Sequence, residues 1–402
     1  MTSSRREMLQ LAGAGLASAA ILPFTKSAEA QLSEVANSPP VTIVQRGINR
    51  ELDVINIDLL ESQARGVLSD GVYVFIATGS GEQWTLRENR RAFGDYALNP
   101  HPMGGIVRDR IDTSITILGE RLPHPIFVSP MGSHGLVHPE AEAATARGMA
   151  KSGGMLCVSS ASTIAMEEIA RASATSKWFQ MYLDNDAGLS REILQRARDA
   201  GFKAIILTVD AIGQSSSDQY ADMGRNRPWL PYGNFPPGRA TSFKTDLSWR
   251  DFDMVRNITG LPVVIKGVTR AEDAAAAVRA GAAAIQVSNH GGRSSDGSPA
   301  GITVLPRIVD AVHGAVPIIF DSGIRRGMDI AQVLALGANA VAVGRPVWWS
   351  LTLGGEGGIS GLMDYFQREL IESMLHLGVN NIASLGREHV LLLNRRLAAE
   401  SN

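Results

Sequence analysis

The chain has 402 residues, 45% of them hydrophobic, and a formal net charge of -2, so it can bury a large core in two domains or in one large α/β barrel. Acidic and basic residues are mixed along the chain, which argues against a nucleic-acid-binding function. Cys157 is the only cysteine, which excludes an intrachain disulfide and a thiolate metal cluster, and we expect it to be a buried apolar thiol.

Residues 1–30 are predicted to be a targeting segment. Arg5 and Arg6 precede an apolar stretch from Leu9 to about Leu22, and the small residues of Ala28–Ala30 follow as a cleavage site. This order resembles a twin-arginine export signal. A short N-terminal membrane anchor is the alternative, but the apolar run is short for the ~20 residues that a membrane span requires. We therefore expect a periplasmic or otherwise exported protein, with residues 31–50 as a linker.

A repeating pattern dominates the rest of the chain. From about Leu52 to Arg121 the sequence predicts helical segments and turns, and afterwards a short apolar run followed by a helical stretch recurs eight times. Each run is typical of a strand buried on both faces. The runs are Pro125–Ser129, Met155–Ser159, Trp178–Leu183, Ala204–Asp210, Pro262–Lys266, Ala284–Asn289, Pro317–Asp321 and Ala340–Gly344. Helical patterns between them include Glu140–Ser152, Leu189–Ala200, Ala271–Ala280 and Met328–Leu336.

Eight strands alternating with helices predict a closed parallel (β/α)8 barrel with an N-terminal helical extension. An open doubly wound sheet is the alternative, but no GxGxxG sequence follows the first strand. The connection from Ala211 to about Leu247, after the fourth strand, is too long for an ordinary loop and predicts a lid or a disordered insertion. The helical pattern of Asp364–Leu377 is expected to pack on the barrel or on a neighbouring subunit.

The carboxyl ends of the strands carry the candidate functional residues, because active sites of (β/α)8 barrels lie at that end. One such residue alone would be a cap or turn residue, but a whole ring of polar residues predicts a site. The ring consists of Pro130, Ser159, Gln180 with Tyr182, Thr208 with Asp210, Lys266, Ser288 with His290, Asp321, and Gly344 with Arg345.

Two of these strand ends predict a phosphate site. Asp321–Arg326 and Gly344–Pro346 place glycines and arginines after the seventh and eighth strands, where barrels of this class hold phosphate. Glycine lets backbone N–H groups approach a phosphate, and arginine binds it with two parallel hydrogen bonds. A solvated basic turn is the alternative interpretation.

A second cluster predicts acid–base chemistry. In Ser288–Arg293, the histidine His290 closes a strand, lies in a glycine turn and is followed by an arginine three residues later. Lys266 ends the neighbouring strand after an apolar run. A lysine at the end of a buried run is unfavourable unless it faces an anion or a cofactor.

These motifs resemble those of the FMN-dependent 2-hydroxy-acid oxidases and dehydrogenases, the group of glycolate oxidase, lactate oxidase and mandelate dehydrogenase. The similarity runs from Gln83–Asn89 to Ser384–Leu385, and its most specific motifs are Ser288–Arg293, Asp321–Asp329 and Gly344–Pro346. The resemblance implies an FMN-binding barrel over residues 51–402, an oxidoreductase that acts on a CH–OH group, and a homotetramer.

The resemblance also implies roles for matching residues. Lys266 would stabilise the reduced flavin near N1 and O2. His290 would take the substrate hydroxyl proton while hydride passes to flavin N5, or would abstract the carbon proton in a carbanion mechanism, and Asp210 would pair with the histidinium. Tyr182 would hydrogen-bond the substrate, and Arg293 would hold its acid group. FMN would contact Pro130, Met131, Gly132, Ser159, Gln180, Tyr182, Thr208, Lys266, Ser288, Asp321, Ser322, Gly323, Ile324, Arg325, Gly344 and Arg345.

Two positions depart from the family pattern. The family has a tyrosine that contacts the substrate carboxylate where this chain has Phe75, and an arginine at about Ser217. Tyr73 would replace the tyrosine only if the register shifts, and Arg225 or Arg227 folding back over the site would replace the arginine. Because each charge-assisted hydrogen bond to a carboxylate contributes roughly 1.5–3 kcal/mol, two missing anchors predict poor binding of a small 2-hydroxy acid.

Ala161, where many relatives carry a larger aromatic residue, leaves additional room. We therefore expect a larger or less acidic substrate, such as an alcohol next to an aromatic, carbonyl or amide group, with O2 or a quinone or periplasmic carrier as electron acceptor. An FMN-dependent isomerase or tailoring enzyme and a non-catalytic exported flavin-binding protein are the alternatives. The intact set of His290, Arg293 and Lys266 favours oxidation, and a pure binding protein would not need His290.

Overall fold

The computed structural model of the chain describes residues 47–213, 216–224, 228–239 and 241–393. The predicted targeting segment, most of the predicted linker, and both Arg225 and Arg227 lie outside the described residues. Within the described ranges, no helix combines the length and the apolar character needed to cross a membrane.

Three helices precede the barrel, and two of them begin at polar caps. The side chain of Asn56 accepts a hydrogen bond from the backbone amide three residues later, at 2.7 Å, and Ser69 caps the second helix in the same way. Both caps are local in sequence, so the start of each helix is determined by its own residues. The helices are α1 Ile57–Arg65, α2 Asp70–Ala77 and α3 Trp84–Arg91.

Short strands lie outside the barrel wall. They are β1 Tyr96–Leu98, β2 Ile115–Ile117, β3 Glu120–Leu122 and, near the C terminus, β12 Val390–Leu392. β1 pairs with β12, and β2 pairs with β3 as an antiparallel hairpin. The hairpin buries Ile117 and Leu122 against the apolar interior of the barrel, so it closes one end of the barrel.

Eight parallel strands form a closed barrel, which confirms the predicted fold and rules out the open sheet. The last strand pairs with the first, since Val341 is in register with Ile126. Each observed strand agrees with its predicted run to within two residues at either end. The barrel strands are β4 Ile126–Met131, β5 Met155–Ser159, β6 Lys177–Met181, β7 Ile205–Thr208, β8 Val263–Val268, β9 Ala284–Val287, β10 Ile318–Asp321 and β11 Ala340–Val343.

Helices connect the strands and cover the barrel. Gly153 and Gly281 end two of them in the left-handed conformation, at φ of 74° and 89°. The last helix bends at Gly355 and packs against α1 and other barrel helices. The predicted C-terminal helical pattern therefore lies on the barrel. The helices are α4 Ala141–Ser152, α5 Met166–Ala172, α6 Ala187–Asp199, α7 Asp218–Asp222, α8 Trp249–Thr259, α9 Ala271–Ala280, α10 Gly301–Val312, α11 Gly327–Ala335 and α12 Arg345–Leu377.

The barrel interior has an apolar layer and, at the carboxyl ends of the strands, a polar layer. Residues two apart on a strand face the same side. Cys157 and Trp178 lie in the apolar layer, whereas Ser159 and Gln180, two residues later on the same strands, belong to the polar layer. Cys157 is buried as expected, and burial raises the pKa of its thiol. The polar layer is the floor of the site.

The long insertion after β7 contains α7, and its residues Ala211, Gly213, Tyr232 and Phe243 line the same cavity as residues at the carboxyl ends of the barrel strands. Backbone hydrogen bonds hold it at three places, from Gly81 to Ser216, from Gly233 to Ser162 and from Lys244 to Leu183. These hydrogen bonds join the insertion to the loops that follow α2, β5 and β6, so the insertion is attached at three separate places.

Candidate active site

A cavity of about 310 Å³ opens at the carboxyl end of the barrel. The structure brings most of the predicted site residues to its wall, and the remaining ones lie just behind the wall. The predicted residues in the wall are Phe75, Pro130, Met131, Gly132, Ser159, Tyr182, Lys266, His290, Arg293, Asp321, Ser322, Gly323, Ile324, Arg325, Gly344 and Arg345. Those that do not line the cavity are Gln180, Thr208, Asp210, Ser217 and Ser288.

A chain of hydrogen bonds links the polar layer on one side of the floor. Ser159 Oγ donates to Gln180 Oε1 at 2.8 Å, and Gln180 Nε2 donates to Thr208 Oγ1 at 3.0 Å. All three side chains are buried. Buried polar groups that satisfy one another hold a fixed orientation, so this edge of the floor is preorganised for a polar ligand.

On the other side of the cavity floor, Lys266 is only 2% exposed. Its Nζ donates to Ser288 Oγ at 3.1 Å and lies 3.9 Å from Asp321 Oδ2. Gln286 donates to the same carboxylate at 2.7 Å and was missed by the sequence reasoning, because it lies inside its strand rather than at the end. A buried ammonium ion requires such partners. The Lys266 side chain is therefore fixed at the cavity floor by Ser288 and Asp321.

His290 lies between an acid and a phenol. Its Nδ1 is 3.0 Å from Asp210 Oδ1, and its Nε2 is 3.1 Å from the Tyr182 hydroxyl. Its backbone is in the left-handed region at φ 59°, and its amide donates to Ser288 Oγ. The hydrogen bond from the His290 amide thus fixes the strained turn that holds the imidazole.

Burial disfavours the charged carboxylate of Asp210, but the interaction with the His290 ring, together with Lys266, outweighs it and lowers the pKa of Asp210 to about 2. Asp210 is therefore ionised at neutral pH and accepts the hydrogen bond from His290 Nδ1–H. In a neutral imidazole with this tautomer, the lone pair lies on Nε2, the ring nitrogen that does not face Asp210. Burial raises the pKa of Tyr182, so its phenol stays protonated and donates to Nε2.

Gly267 makes the position of Asp210 possible. A Cβ atom on this glycine would lie 2.5 Å from Cγ of Asp210, and its φ of 104° is disfavoured for other residues. The glycine follows Lys266 directly inside β8, where the pairing with β9 is irregular, and it leaves room for the acid beside both the lysine and the histidine.

The end of α2 forms another wall. Arg293 Nη1 donates to Phe75 O at 2.6 Å, and Arg345 Nε donates to Ile76 O at 2.9 Å. Cations at the carboxyl end of a helix are favourable because the last carbonyls lack partners in the helix. The two arginines fix the end of α2, and the guanidinium of Arg293 lies 5.0 Å from the centre of the Phe75 ring.

Three guanidinium groups share one cavity wall. Burial lowers the pKa of Arg345, and so does the charge of both Arg293 and Arg325. Burial and the charge of Arg90 lower the pKa of Arg325 to about 10. The Nε of Arg325 is buried and has no hydrogen-bond partner among the described residues. Because three positive charges on one wall repel each other, a bound anion would stabilise them, and this wall is suited to bind one.

These features fit FMN. Its phosphate would lie by Arg325 and the adjacent Gly323 and Gly344, and its ring system would lie over the polar floor by Lys266. Gly323 has a φ of 95°, and a Cβ there would lie 2.1 Å from a backbone oxygen of α3, so only glycine allows this loop to approach α3 so closely. No group of three or more acidic, histidine or cysteine residues that would hold a metal ion occurs in the described ranges.

The two predicted departures from the family pattern lie in different surroundings. Phe75 lines the cavity, whereas Tyr73 donates to Glu61 and stacks on Trp349, outside the cavity wall. Tyr73 therefore does not place its phenol in the cavity. Ser217 is buried, donates to Thr78 Oγ1 at 2.8 Å and caps α7.

Several residues of the wall were not found by the sequence reasoning. Tyr232 and Phe243 come from the insertion, and Trp348 comes from the start of α12. Asn89 of the Gln83–Asn89 motif exchanges two hydrogen bonds of 2.8 Å with Asn289, which holds α3 against the His290 turn. Only Asn89 had a signal in the sequence, since it lies in a motif that was already singled out.

Comparison with known proteins agrees with this geometry. Residues 64–392 match the model of the FMN-dependent dehydrogenase family. The chain is 38% identical to an L-lactate oxidase of a Nostoc species, over 82% of this chain and 96% of the relative. It is 36% identical to a peroxisomal (S)-2-hydroxyacid oxidase of Arabidopsis thaliana, over 86% and 98%.

Solved structures give the same result. A lactate oxidase of Pediococcus acidilactici superposes with a TM-score of 0.83 at 36% identity, covering 88% of this chain and 98% of the other. A mandelate oxidase superposes with a TM-score of 0.77 at 36% identity, covering 85% and 99%. With a closed barrel, a cavity that fits FMN and matches along most of its length, this chain belongs to the FMN-dependent 2-hydroxy-acid oxidase family, whose members oxidise CH–OH groups.

Proposed function

We propose that the protein oxidises a 2-hydroxy acid or a related activated alcohol to the oxo compound, with His290 as the base and with a substituent larger than that of lactate. The observation that carries the chemistry is the contact of His290 Nδ1 with Asp210 at 3.0 Å, which leaves Nε2 as the ring nitrogen that does not face the acid. The substrates named for the relatives, lactate, glycolate and mandelate, support the substrate class.

The proton path follows from the tautomer. The ionised Asp210 holds the Nδ1 proton, so Nε2 of His290 is free to accept the proton of the substrate hydroxyl. The imidazolium that results is stabilised by the carboxylate beside it. Tyr182, now hydrogen-bonded to Nε2, would turn its hydroxyl to the substrate oxygen and orient it.

FMN supplies the two-electron acceptor for the C–H bond of the carbinol. Lys266 contributes a fixed positive charge at the cavity floor, where negative charge develops as the cofactor is reduced. Arg293 faces the cavity and would attract the acid group of the substrate. The two protein contributions come from neighbouring strands, since Lys266 lies on β8 and Arg293 lies in the loop after β9.

The substrate half of the cavity supports the larger substituent. Phe75 offers a ring where relatives have a phenol, and Ser217 points away toward Thr78. Ala161 contributes only a methyl group, and Phe243 and Trp348 add apolar walls. An aromatic substituent would bury apolar area there at roughly 25 cal/mol per Å².

The proposal also covers the electron acceptor, the oligomeric state and the cellular location of the protein. O2 is the acceptor consistent with relatives that are named oxidases, and a quinone or periplasmic carrier is the alternative. A homotetramer and export through the twin-arginine route follow from the resemblance and from Arg5 and Arg6. Light scattering of the purified protein would test the tetramer, and loss of export when both arginines are changed to lysine would test the route.

Anaerobic flavin reduction tests the central claim. The purified yellow protein is mixed with (S)-mandelate, lactate, the corresponding amides and simple alcohols, and the flavin absorbance is followed. We expect the fastest bleaching with an aromatic 2-hydroxy acid or its amide. Bleaching by lactate alone would contradict the enlarged pocket, and no bleaching by any of them would contradict the reaction.

A further inference from the structure

Tyr232 is a cavity residue to which the family resemblance gives no role. It lies in the insertion, and its ring is 6.1 Å from that of Phe235. Phe235 is in turn 6.0 Å from Phe243, which stacks on Tyr182 at 4.9 Å. A row of four aromatic rings thus connects Tyr232 to the residue that contacts His290.

The backbone around Tyr232 is held in place. The next residue, Gly233, donates to Ser162 O at 2.9 Å, and a Cβ there would lie 2.4 Å from the backbone of Ile164. The buried Asn234 donates to Ser160 O and to Ser162 Oγ, and its Oδ1 accepts from the first amide of α5. Tyr232 therefore extends into the cavity from a fixed point beside Ala161.

The hydroxyl of Tyr232 differs from those of the other tyrosines near the site. Tyr182 contacts His290, Tyr220 donates to Pro228 O, and Tyr73 donates to Glu61. In the described part of the chain, no protein group hydrogen-bonds with the hydroxyl of Tyr232. Burial raises the pKa of this phenol, as does the proximity of Tyr220, so the phenol is a neutral donor at every working pH.

A phenol that faces a cavity must find an acceptor once a ligand excludes water. Phe75 carries no hydroxyl, and Ser217 is engaged with Thr78, so neither position supplies a donor to the ligand. Tyr182, Tyr232 and Arg293 line the same cavity, and the pKa of the Tyr182 phenol responds to both of the other two. Tyr232 is thus close to the polar end of the substrate space.

We propose that Tyr232 is a substrate-binding residue whose phenol donates a hydrogen bond to the carboxylate, or to the amide carbonyl in its place, of an aromatic 2-hydroxy acid derivative. This inference rests on the proposed function, because it assigns a contact to the same substrate. The insertion then replaces the donor that α2 lacks at Phe75, from the opposite wall of the cavity.

The test compares Tyr232→Phe with Tyr73→Phe, which removes the same hydroxyl outside the cavity. For (S)-mandelate under anaerobic conditions we expect Tyr232→Phe to raise the apparent Kd or KM by roughly tenfold to a hundredfold, with a smaller change in the flavin reduction rate at saturation. Tyr73→Phe should leave both unchanged. With 1-phenylethanol, which lacks the acid group, Tyr232→Phe should behave as the unmodified enzyme does.

Two further measurements make the result decisive. Phe75→Tyr added to Tyr232→Phe should recover most of the lost affinity, which a merely structural role would not produce. Binding of benzoylformate, followed by the flavin spectrum, tests the contact without turnover. Equal affinity of Tyr232→Phe and the unmodified protein for benzoylformate, or no binding by either, would overturn the inference. Failure of mandelate to bleach the flavin while benzoylformate binding still depends on Tyr232 would overturn the proposed reaction instead.

Discussion

The cofactor half and the substrate half of the cavity are built in different ways. The cofactor half consists of strand ends and the turns that follow directly, with Ser159, Gln180, Lys266 and Asp321 fixed by the barrel hydrogen bonds and by one another. The substrate half consists of the end of α2, the start of α12 and the insertion, which reach the site from outside the barrel. A barrel can therefore keep its redox chemistry while the surrounding segments change its substrate.

The two halves also differ in how freely their residues can be replaced. A strand-end residue cannot move without disturbing the barrel, whereas Phe75 or Tyr232 can change without altering a strand. Of the two positions where the sequence predicts a departure from the family pattern, Phe75 lines the cavity and Ser217 lies behind its wall, in the insertion. Substitutions in each half should separate the two, beginning with the largest expected effect.

Replacing His290 tests the chemistry shared by both halves. His290→Asn keeps a residue that tolerates the left-handed backbone at φ 59° but removes the base. We expect anaerobic flavin reduction by the best substrate to slow by about 10²–10⁴-fold, the usual contribution of a positioned base. His313→Asn, an exposed residue at the end of α10 that also has positive φ, is the matched control and should react normally. Undiminished reduction in His290→Asn would eliminate the base assignment.

The phosphate end of the cofactor half is tested by Arg325→Ala. Because Arg325 Nε is buried without a partner in the described residues, we expect it to bind the phosphate of FMN, and its loss should weaken FMN binding by roughly tenfold to a hundredfold. Riboflavin, which has no phosphate, should bind both proteins equally in a fluorescence titration. Arg326→Ala is the control, since that side chain is exposed and pairs with Glu369. Equal losses for FMN and riboflavin would contradict a phosphate contact.

This division also explains what was predictable from the sequence. The strands, the barrel and most residues of the cavity wall were predictable because strand runs and the residues that close them are local in the chain. Gln286 could not be predicted, because nothing in the sequence distinguishes one inward residue of a buried strand from the others. Tyr232 and Phe243 could not be predicted either, because their positions depend on where the long insertion is attached. Tertiary contacts such as that of Gly233 with Ser162 determine this attachment. The direction of Ser217, toward Thr78 rather than the cavity, was likewise set by a tertiary contact.

The substrate half is tested by Phe75→Tyr. The ring already lines the cavity beside Arg293, so the added hydroxyl should reach the acid group of a small substrate and raise kcat/KM for lactate by about tenfold, the value of one hydrogen bond to a charged group. Steady-state kinetics with lactate and mandelate would show whether the gain favours the smaller acid. Ser217→Arg should add nothing and should destabilise the protein by about 1 kcal/mol, because it removes the cap of α7. An unchanged kcat/KM for lactate in Phe75→Tyr would place the acid group elsewhere.

The smallest effect concerns a buried histidine behind the cavity wall and the way the stability of the protein depends on pH. His134 follows β4, is buried behind Trp348 of the cavity wall, and burial lowers its pKa from 6.5 to about 3. Between these two values the unfolded chain binds a proton that the folded protein does not, so this residue lowers the free energy of unfolding as the pH falls below about 6.5. The slope is about 1.4 kcal/mol per pH unit.

His134→Gln should therefore flatten the fall in Tm between pH 6.5 and 5, even though the loss of the 2.9 Å contact with Thr145 lowers Tm at pH 7.5. His313→Gln, at an exposed position, should keep the slope of the unmodified protein. The flavin reduction rate at pH 7.5 should change little in His134→Gln, because His134 does not itself line the cavity and packs behind Trp348. If both variants keep the original slope, the acid sensitivity comes from another buried group, and His124, whose pKa burial lowers to about 4, is the next residue to replace.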